Sequence, residues 1–446
     1  MSLSPTLQVI NRMLGRKLHK ADASGASWRT DSQVCSMGQD SRSRFDSHPA
    51  LTSLRMLTAA ADRFGIGNPF FKLHEGVGGQ HTCIDGKQYL NFSHYNYLGL
   101  NGHPEVNEAA REAIERYGTS AGASRLVAGE RPVQRQLEEA LAAMYGVEDC
   151  VAFVSGHATN VSTISTLFGH KDLIVHDSLI HNSVLEGIRL SGATRRAFPH
   201  NDLEALDALL ASLRPRFERV CIIVEGIYSM DGDMPDLPVL THIKRRHDAF
   251  LMVDEAHALG VLGATGKGLA EHYGLPGTDV DIWMGTLSKT LAGCGGYIAG
   301  SRALVEILKF AAPGFVYSVG LAPPLAAASL AALRIMLREP ERACRLRDRA
   351  RLFLDMAREN GLNVGTSQGF SVIPVILGSS RKAIVLSNQL FEHGINVQPI
   401  IHPAVEEKSA RLRFFLSSMH SEDDVRHTCR TTAFLAHGKE VSHASE

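Results

Sequence analysis

Two short stretches of the sequence place chemically reactive side chains directly after apolar, β-rich runs. In VDEAH at 253–257, the acid Asp254 ends the run and His257 follows three residues later. In GTLSKT at 285–290, the hydroxyls of Thr286 and Ser288 lie with Lys289 on a tight turn after another such run. Because ligands of open α/β sheets bind at the carboxyl ends of the strands, we expect both stretches to face one site.

An acid and a lysine in these places are the two groups that pyridoxal phosphate requires, one beneath its ring nitrogen and one to bond its aldehyde carbon. The hydroxyls of Thr286 and Ser288 suit the phosphate of this cofactor. A third stretch, FVSGHATN at 153–160, is typical of a strand that enters a helix. The amides of Gly156 and His157 would then lie at a helix N-terminus, which favours phosphate. Each signal is weak alone, but together they indicate pyridoxal phosphate.

The chain resembles the α-oxoamine synthases, a family of fold-type I pyridoxal phosphate enzymes that includes serine palmitoyltransferase and 8-amino-7-oxononanoate synthase. It also resembles the synthase domains of polyketide assembly lines. The matching stretches are YNYLGL (95–100), SRLVAGE (124–130), SGHATN (155–160), HDSLIHNSVLEG (176–187), HND (200–202), EGIYSMDGD (225–233), DEAHALGVLG (254–263), GTLSKT (285–290), PGFVYS (313–318) and ARLRF (410–414).

The resemblance implies a decarboxylative condensation. An L-amino acid and an acyl thioester would give an α-amino ketone, carbon dioxide and a free thiol. The thioester is either acyl-coenzyme A or acyl-carrier protein, and the amino acid and the acyl length stay open. Two alternatives remain: another fold-type I enzyme, such as an aminotransferase or an aldolase-type lyase, and a non-catalytic partner subunit. Intact Lys289, Asp254, His257 and Arg413 argue against the second alternative.

The resemblance also implies a role for each matching residue. Lys289 would hold the cofactor and move the α-proton of the substrate. Asp254 would pair with the ring nitrogen, His257 with the ring oxygen or the thioester carbonyl, and His181 would stack on the ring. Arg413 would grip the substrate carboxylate, because a guanidinium does so with two parallel hydrogen bonds.

The remaining implied contacts surround these residues. Ser318, or the amide of its neighbour, would reach the phosphate of a second subunit, which implies a homodimer with a shared active site. The others are Ser155, Gly156, His157, Thr286 and Ser288 at the phosphate, Ser229 at the ring oxygen, and Tyr95 and Asn96 at the substrate.

The sequence departs from the family before the carboxylate arginine. Many members carry a loop with an additional arginine there, but this chain reads IHPAVEEK at 401–408. This chain therefore lacks the second arginine that could help Arg413 to hold the substrate carboxylate. We expect the neighbouring Arg411 to be a surface partner of Glu406 or Glu407.

Helical and strand patterns alternate from about residue 100, and continuous apolar runs between helices indicate a mostly parallel sheet flanked by helices. The predicted fold is α/β, with a smaller α+β C-terminal domain. The predicted strands are 150–155, 220–225, 250–254, 282–286, 371–377 and 411–416, and the predicted helices are 104–117, 132–145, 326–338 and 345–360. The predicted divisions are a leader at 1–48, an N-terminal segment at 49–100, a large domain at 101–325 and a small domain at 326–446.

Composition excludes several classes of protein. The 46 basic and 47 acidic residues leave a net charge of -1, which argues against nucleic acid as a partner. Seven cysteines without a CxxC pair predict no metal site and a reducing compartment, the cytoplasm or, less favoured, the mitochondrial matrix. We expect no transmembrane helix. Leucines and basic residues recur at helical spacing in residues 3–20, which suits a transit peptide, a membrane-surface helix, a docking helix or a helix packed on its own protein.

Overall fold

The computed structural model describes residues 44–63, 65 and 67–438, so the basic stretch at 3–20 and most of the predicted leader lie outside it. The strands are β1 (His81–Ile84), β2 (Lys87–Asn91), β3 (Asp149–Phe153), β4 (Leu173–Asp177), β5 (Thr194–Phe198), β6 (Val220–Glu225), β7 (Phe250–Asp254), β8 (Ile282–Thr286), β9 (Gly296–Gly300), β10 (Val372–Ile376), β11 (Ile395–Asn396), β12 (Pro399–Ile400) and β13 (Arg411–Phe415).

The helices surround these strands. They are α1 (Pro49–Arg63), α2 (Pro104–Tyr117), α3 (Pro132–Tyr145), α4 (Gly156–Leu167), α5 (Asn182–Ser191), α6 (Leu203–Leu213), α7 (Leu237–Arg246), α8 (Leu269–Tyr273), α9 (Arg302–Ala311), α10 (Pro313–Val316), α11 (Pro323–Arg338), α12 (Glu341–Glu359), α13 (Ser380–Glu392) and α14 (Glu422–Ala436). Within the described ranges, no helix is long and apolar enough to cross a membrane.

A seven-stranded sheet forms the centre, in the order β3-β9-β8-β7-β6-β4-β5. All neighbours are parallel except β9, which runs antiparallel to β3 and β8. Strands such as β6 are buried along their whole length, because helices cover both faces of the sheet. The predicted mostly parallel α/β sheet is therefore confirmed.

Five of the ten predicted elements have the observed boundaries, and the other five differ by up to four residues at an end. The strands at 220–225, 250–254 and 282–286 and the helices at 104–117 and 132–145 match residue for residue. The last of these begins at Pro132 and ends before Gly146, whose φ of 69° is a left-handed value that suits glycine. The antiparallel β9 was not predicted, because GYIAG is short and bounded by glycines.

Two small three-stranded sheets lie outside the central one. The first joins the hairpin β1–β2 to β11, so a strand near residue 90 pairs with one near residue 395. The second has the order β10-β13-β12 and is antiparallel. Its middle strand β13 carries Arg411 and Arg413 toward the carboxyl edge of the central sheet, where both contact the segment that follows β6.

A buried ion pair stabilises the region beside β3. The Arg125 side chain is 1% exposed and donates to both Glu130, at 2.6 Å, and the fully buried Glu138 of α3. Glu138 also accepts from the Ala152 amide of β3 at 2.9 Å. The pair therefore joins the turn at Arg125 to a helix and a strand of the core.

Replacing Arg125 should destabilise the protein strongly, because it would leave Glu138 charged and buried. Arg135 and Lys309, each 3.6 Å away, compensate only in part. We expect Arg125→Met to lower the free energy of unfolding by about 3 kcal/mol, measured by urea denaturation. The matched control is Arg111→Met, which removes an exposed pair with Glu108 and should cause no measurable change. Equal losses in the two variants would contradict this account.

Candidate active site

The carboxyl ends of the parallel strands border a cavity of about 240 Å³. The four predicted catalytic residues, Lys289, Asp254, His257 and His181, all line this cavity. The other lining residues are Ser155, Gly156, His157, Asn160, Ser183, Glu225, Ala256, Met284, Thr286, Ser288, Cys294 and Gly295. A larger cavity of about 620 Å³ lies at the amino edge of the sheet, but its lining contains neither lysine nor histidine.

Asp254 ends β7 and lies in the floor of the cavity, almost fully buried. Its Oδ1 accepts from the Ala256 amide at 3.0 Å, and its Oδ2 accepts from Asn160 Nδ2 at 2.9 Å. A buried carboxylate needs such donors, because burial removes its hydration. The carboxylate is thus held in one orientation.

Asn160 links this acid to the histidine on the other wall. Its second amide hydrogen is donated to Ser183 Oγ at 2.9 Å, and Ser183 Oγ lies 2.7 Å from His181 Nδ1. His181 Nδ1 also accepts from the Ser183 amide, which caps the N-terminus of α5. Since Nδ1 is an acceptor, the ring proton of neutral His181 lies on Nε2. Burial lowers the pKa of His181, which favours this neutral form.

Lys289 lies on the connection between β8 and β9, which two backbone hydrogen bonds hold in a tight turn. Leu287 bonds to Gly295 at 2.9 Å, and Gly293 bonds to Leu287 at 2.8 Å. Burial lowers the pKa of Lys289 to about 8, because the negative charge of Asp254 compensates only in part. A larger fraction of the amine is therefore neutral, and able to accept a proton, at neutral pH than in an ordinary lysine.

His257 is buried, and its Nδ1 lies 2.6 Å from the hydroxyl of Tyr97. Burial, together with the positive charges of Lys289 and Arg413, holds the pKa of His257 well below its usual range. Burial raises the pKa of Tyr97, so its hydroxyl keeps its proton and can donate to Nδ1. The remaining ring proton then lies on Nε2, where it can be donated into the cavity.

The opposite end of the cavity suits a phosphate. Ser155 caps the N-terminus of α4, where the first amides have no partner within the helix. The hydroxyls of Thr286 and Ser288 lie 2.7 Å apart. A Cβ on Gly156 would lie only 3.0 Å from Thr286 Oγ1, so glycine keeps this corner open. These donors, with Lys289 beside them and an acid at the far end, fit a phosphorylated heteroaromatic aldehyde.

Arg413 lies just beyond the lining residues. Its Nη1 donates to the Ser229 carbonyl at 2.9 Å, and its Cζ lies 4.6 Å from the ring centroid of Phe415. Its Nε is buried and has no partner among the described residues. A guanidinium with a free donor in this place can bind an anionic group of a substrate.

The expectation for Arg411 was wrong. Its side chain is 6% exposed and pairs with Asp231 at 2.7 Å, while Nη1 also donates to the Met230 carbonyl. Glu407 bonds to Ser380 instead. The ion pair follows from the register of β13, which points Arg411 and Arg413 toward the same segment.

Four other predicted residues lie outside the cavity lining. Ser229 is buried, and its amide donates to Glu225 Oε2 at 3.0 Å. Tyr95 and Asn96 line a smaller adjoining cavity of about 160 Å³, which also touches Lys289. The Asn96 side chain is already bonded to the backbone at Gly78 and Asn101. Ser318 follows α10 and does not line the cavity of its own chain.

Sequence reasoning missed Glu225. It is aligned with Asp254 in the β6–β7 register, and its Oε1 is buried without a partner among the described residues. Burial and the nearby charge of Asp254 raise the pKa of Glu225. A signal was present, because the apolar run at 220–225 ends in an acid just as the run at 250–254 does. Asn160, Ser183 and Tyr97 were also missed as site residues, although each lies within a matching stretch.

Comparisons with known proteins agree with this geometry. Residues 87–431 match the family of class I and II aminotransferases. The 8-amino-7-oxononanoate synthase of Thermoanaerobacter pseudethanolicus is 37% identical over 368 residues, which are 82% of this chain and 92% of the relative. The serine palmitoyltransferase of Sphingomonas wittichii has a TM-score of 0.83 at 28% identity over 87% of this chain and 98% of its own. A serine palmitoyltransferase with pyridoxal phosphate has a TM-score of 0.82 at 27% identity over 88% of this chain and 100% of its own.

The lowered pKa of Lys289 predicts selective reactivity. In cofactor-free protein, the rate at which trinitrobenzenesulfonate modifies Lys289 should rise through about pH 8, because only the neutral amine reacts. Lys171 is the control, since its ion pair with Glu218 raises its pKa and delays its reaction to higher pH. Peptide mapping by mass spectrometry would follow both residues. A common pH midpoint for the two lysines would contradict the prediction.

Proposed function

The chain belongs to the family of class I and II aminotransferases, and within it we propose a pyridoxal-phosphate-dependent acyltransferase of the α-oxoamine synthase type. It joins an L-amino acid to an acyl thioester and yields an α-amino ketone, carbon dioxide and a thiol. One observation carries the proposal: Lys289, Asp254, His181 and His257 line a single cavity at the ends of adjacent strands.

The cofactor residues divide between the two ends of the cavity. Gly156, His157, Thr286 and Ser288 would hold the phosphate, with Ser155 capping the helix. Asp254 would hold the ring nitrogen and His181 would cover one ring face, as the resemblance implies. When bound, pyridoxal phosphate withdraws electrons from Cα of the amino acid and so makes the α-proton removable.

Arg413 binds the carboxylate of the amino acid in this proposal. Its buried, unpartnered Nε supplies one donor, and its guanidinium plane suits two parallel hydrogen bonds. Because Nη1 is fixed by the Ser229 carbonyl, the guanidinium has a defined orientation before the substrate arrives. The substrate's Cα is thereby directed toward Lys289.

Lys289 moves the proton at Cα. With a pKa of about 8, a fraction of its amine is neutral near neutral pH and accepts this proton. Cα then bonds to the acyl carbon, and the thiol leaves. Loss of carbon dioxide follows, and protonation of Cα completes the product. The hydrogen on Nε2 of His257 is placed to stabilise the acyl carbonyl oxygen as charge develops on it.

The other fold-type I reactions use the same kinds of residue, so the products decide between them. An aminotransferase would release a keto acid from the amino acid, and an aldolase-type lyase would shorten its side chain. The relatives at about 40% identity favour the synthase reaction, since several are 8-amino-7-oxononanoate synthases. The amino acid and the acyl carrier are left open.

The proposed reaction predicts specific products. Purified protein with pyridoxal phosphate should be incubated with each of the twenty amino acids and a panel of acyl-coenzyme A and acyl-carrier protein thioesters. Mass spectrometry should detect one α-amino ketone, together with free thiol. Lys289→Ala should slow product formation at least about 100-fold, because the proton acceptor is lost. Keto acid or a shortened amino acid as the main product would contradict the synthase reaction.

We further propose a homodimer with a shared active site in the cytoplasm. Ser318 does not line the cavity of its own chain, and its neighbours Tyr317 and Val319 are 86% and 50% exposed. This arrangement suits a residue that reaches the phosphate of a second copy. The cytoplasmic location is supported by the seven cysteines, which show no paired spacing.

Substitution of Ser318 and dilution of the protein test the shared site. Ser318→Ala should weaken pyridoxal phosphate binding several-fold while the dimer persists, because one hydrogen bond to the phosphate is lost. Dilution that separates the subunits should release cofactor from the wild-type protein. Ser212→Ala, on the exposed side of α6, should change neither quantity. A monomer that holds the cofactor as tightly as the dimer would disprove the shared site.

A further inference from the structure

A histidine outside the cavity bridges two buried carboxylates. His200 Nδ1 lies 3.0 Å from Asp177, and its Nε2 lies 2.9 Å from Asp233. The two carboxylate side chains are 0% and 5% exposed. Both ring nitrogens of His200 must carry hydrogen to donate to both acids, which makes the ring a cation.

The first carboxylate organises the segment that carries His181. Asp177 ends β4, and its side chain accepts from the amides of Leu179 at 2.8 Å and Asn201 at 2.9 Å. The segment from 178 to 180 then leads directly to His181, the N-cap of α5. A shift of the Asp177 side chain would therefore displace the wall of the cavity.

The second carboxylate organises the segment that holds Arg413. Asp233 closes the loop after β6, because its carbonyl accepts from the Tyr228 amide at 2.8 Å. Its Oδ2 also accepts from Thr366 Oγ1 at 2.9 Å. Between its ends, this loop presents the Ser229 carbonyl to Arg413.

The charge of the bridge is stable. Burial disfavours the charged ring, but the hydrogen bonds to Asp177 and Asp233 outweigh it and raise the pKa of His200 to about 10. The Tyr228 ring, perpendicular to the imidazole with 4.5 Å between the ring centroids, and the Asn201 side chain are its other neighbours. Below its folded-state pKa, the imidazolium therefore offsets the repulsion between two buried acids.

We propose that His200 is a positioning residue that sets the distance between the cofactor face at His181 and the carboxylate-binding guanidinium of Arg413. It contacts neither residue, but it joins the two segments that orient them. This inference rests on the proposed function, in which Arg413 receives the carboxylate of the amino acid. The expected consequence of breaking the bridge is weaker binding of the amino acid, with a smaller effect on the turnover of bound substrate.

The test compares two buried histidines. His200→Gln removes the charge and replaces the two donors on separate ring nitrogens by a single NH2 group. His247→Gln is the control. It removes another buried histidine, which follows α7 and bonds to Asp207 at 2.7 Å. Both variants should lose thermal stability. Only His200→Gln should raise the dissociation constant of the preferred amino acid, by about tenfold. The absorbance change of the bound cofactor measures this constant.

Two further variants keep the test decisive. Asp233→Asn retains the shape of the bridge but removes one charge, so it should weaken amino-acid binding less than His200→Gln does. It should also fold even if His200→Gln does not. Arg413→Met is the positive control for lost carboxylate binding. Equal amino-acid affinities in wild-type protein, His200→Gln and Asp233→Asn would overturn the positioning role. If wild-type protein binds no amino acid, the proposed function fails and the inference falls with it.

A measurement on cofactor-free protein is independent of both outcomes. In histidine labelled with ¹⁵N, the signals of His200, assigned by their loss in His200→Gln, should show two protonated ring nitrogens near pH 8. Asp233→Asn should lower the pH at which the ring loses a proton. A neutral ring near pH 8 in wild-type protein would contradict the bridge, whatever the amino-acid affinities.

Discussion

The site depends on burying an acid and a basic side chain at the same edge of one sheet. Asp254 is held by Asn160 and by the Ala256 amide, and its charge partly offsets the cost of burying Lys289. Neither group could be buried alone at low cost, because burial removes the hydration of a charge. Parallel strands bring the two groups together, since their carboxyl ends meet at one edge of the sheet and present both groups to one cavity.

The histidines around this pair owe their states to the same burial. His181 and His257 both have lowered pKa values, so each is neutral and donates through Nε2. The hydroxyls of Ser183 and Tyr97 decide which nitrogen carries the hydrogen. Two neutral donors therefore face a cavity whose charges are Asp254, Lys289 and the nearby Arg413. That arrangement suits a cofactor with a charged phosphate and a flat ring.

The substrate side of the site is built from distant parts of the chain. Arg413 reaches the loop after β6 because β13 pairs with β10 in a separate sheet. The Asp177–His200–Asp233 bridge then links that loop to the wall that carries His181. An error in packing between the two sheets would thus move the guanidinium relative to Lys289 without changing either residue.

The sequence alone determined the local features. Apolar runs that end in Asp254 and before Lys289 predicted the strands, because buried parallel strands have few polar residues until they end. The cofactor residues were predicted from stretches of adjacent residues, and most of them line one cavity, although Ser229 and Ser318 do not. Only the tertiary structure decided what depends on long-range pairing. It showed that β9 inserts antiparallel between β3 and β8, that Glu225 lies beside Asp254, that Arg411 is buried against Asp231, and that His200 bridges two acids. The physical reason is that the charge state and burial of a side chain depend on its neighbours in space, which a periodic pattern along the chain does not specify.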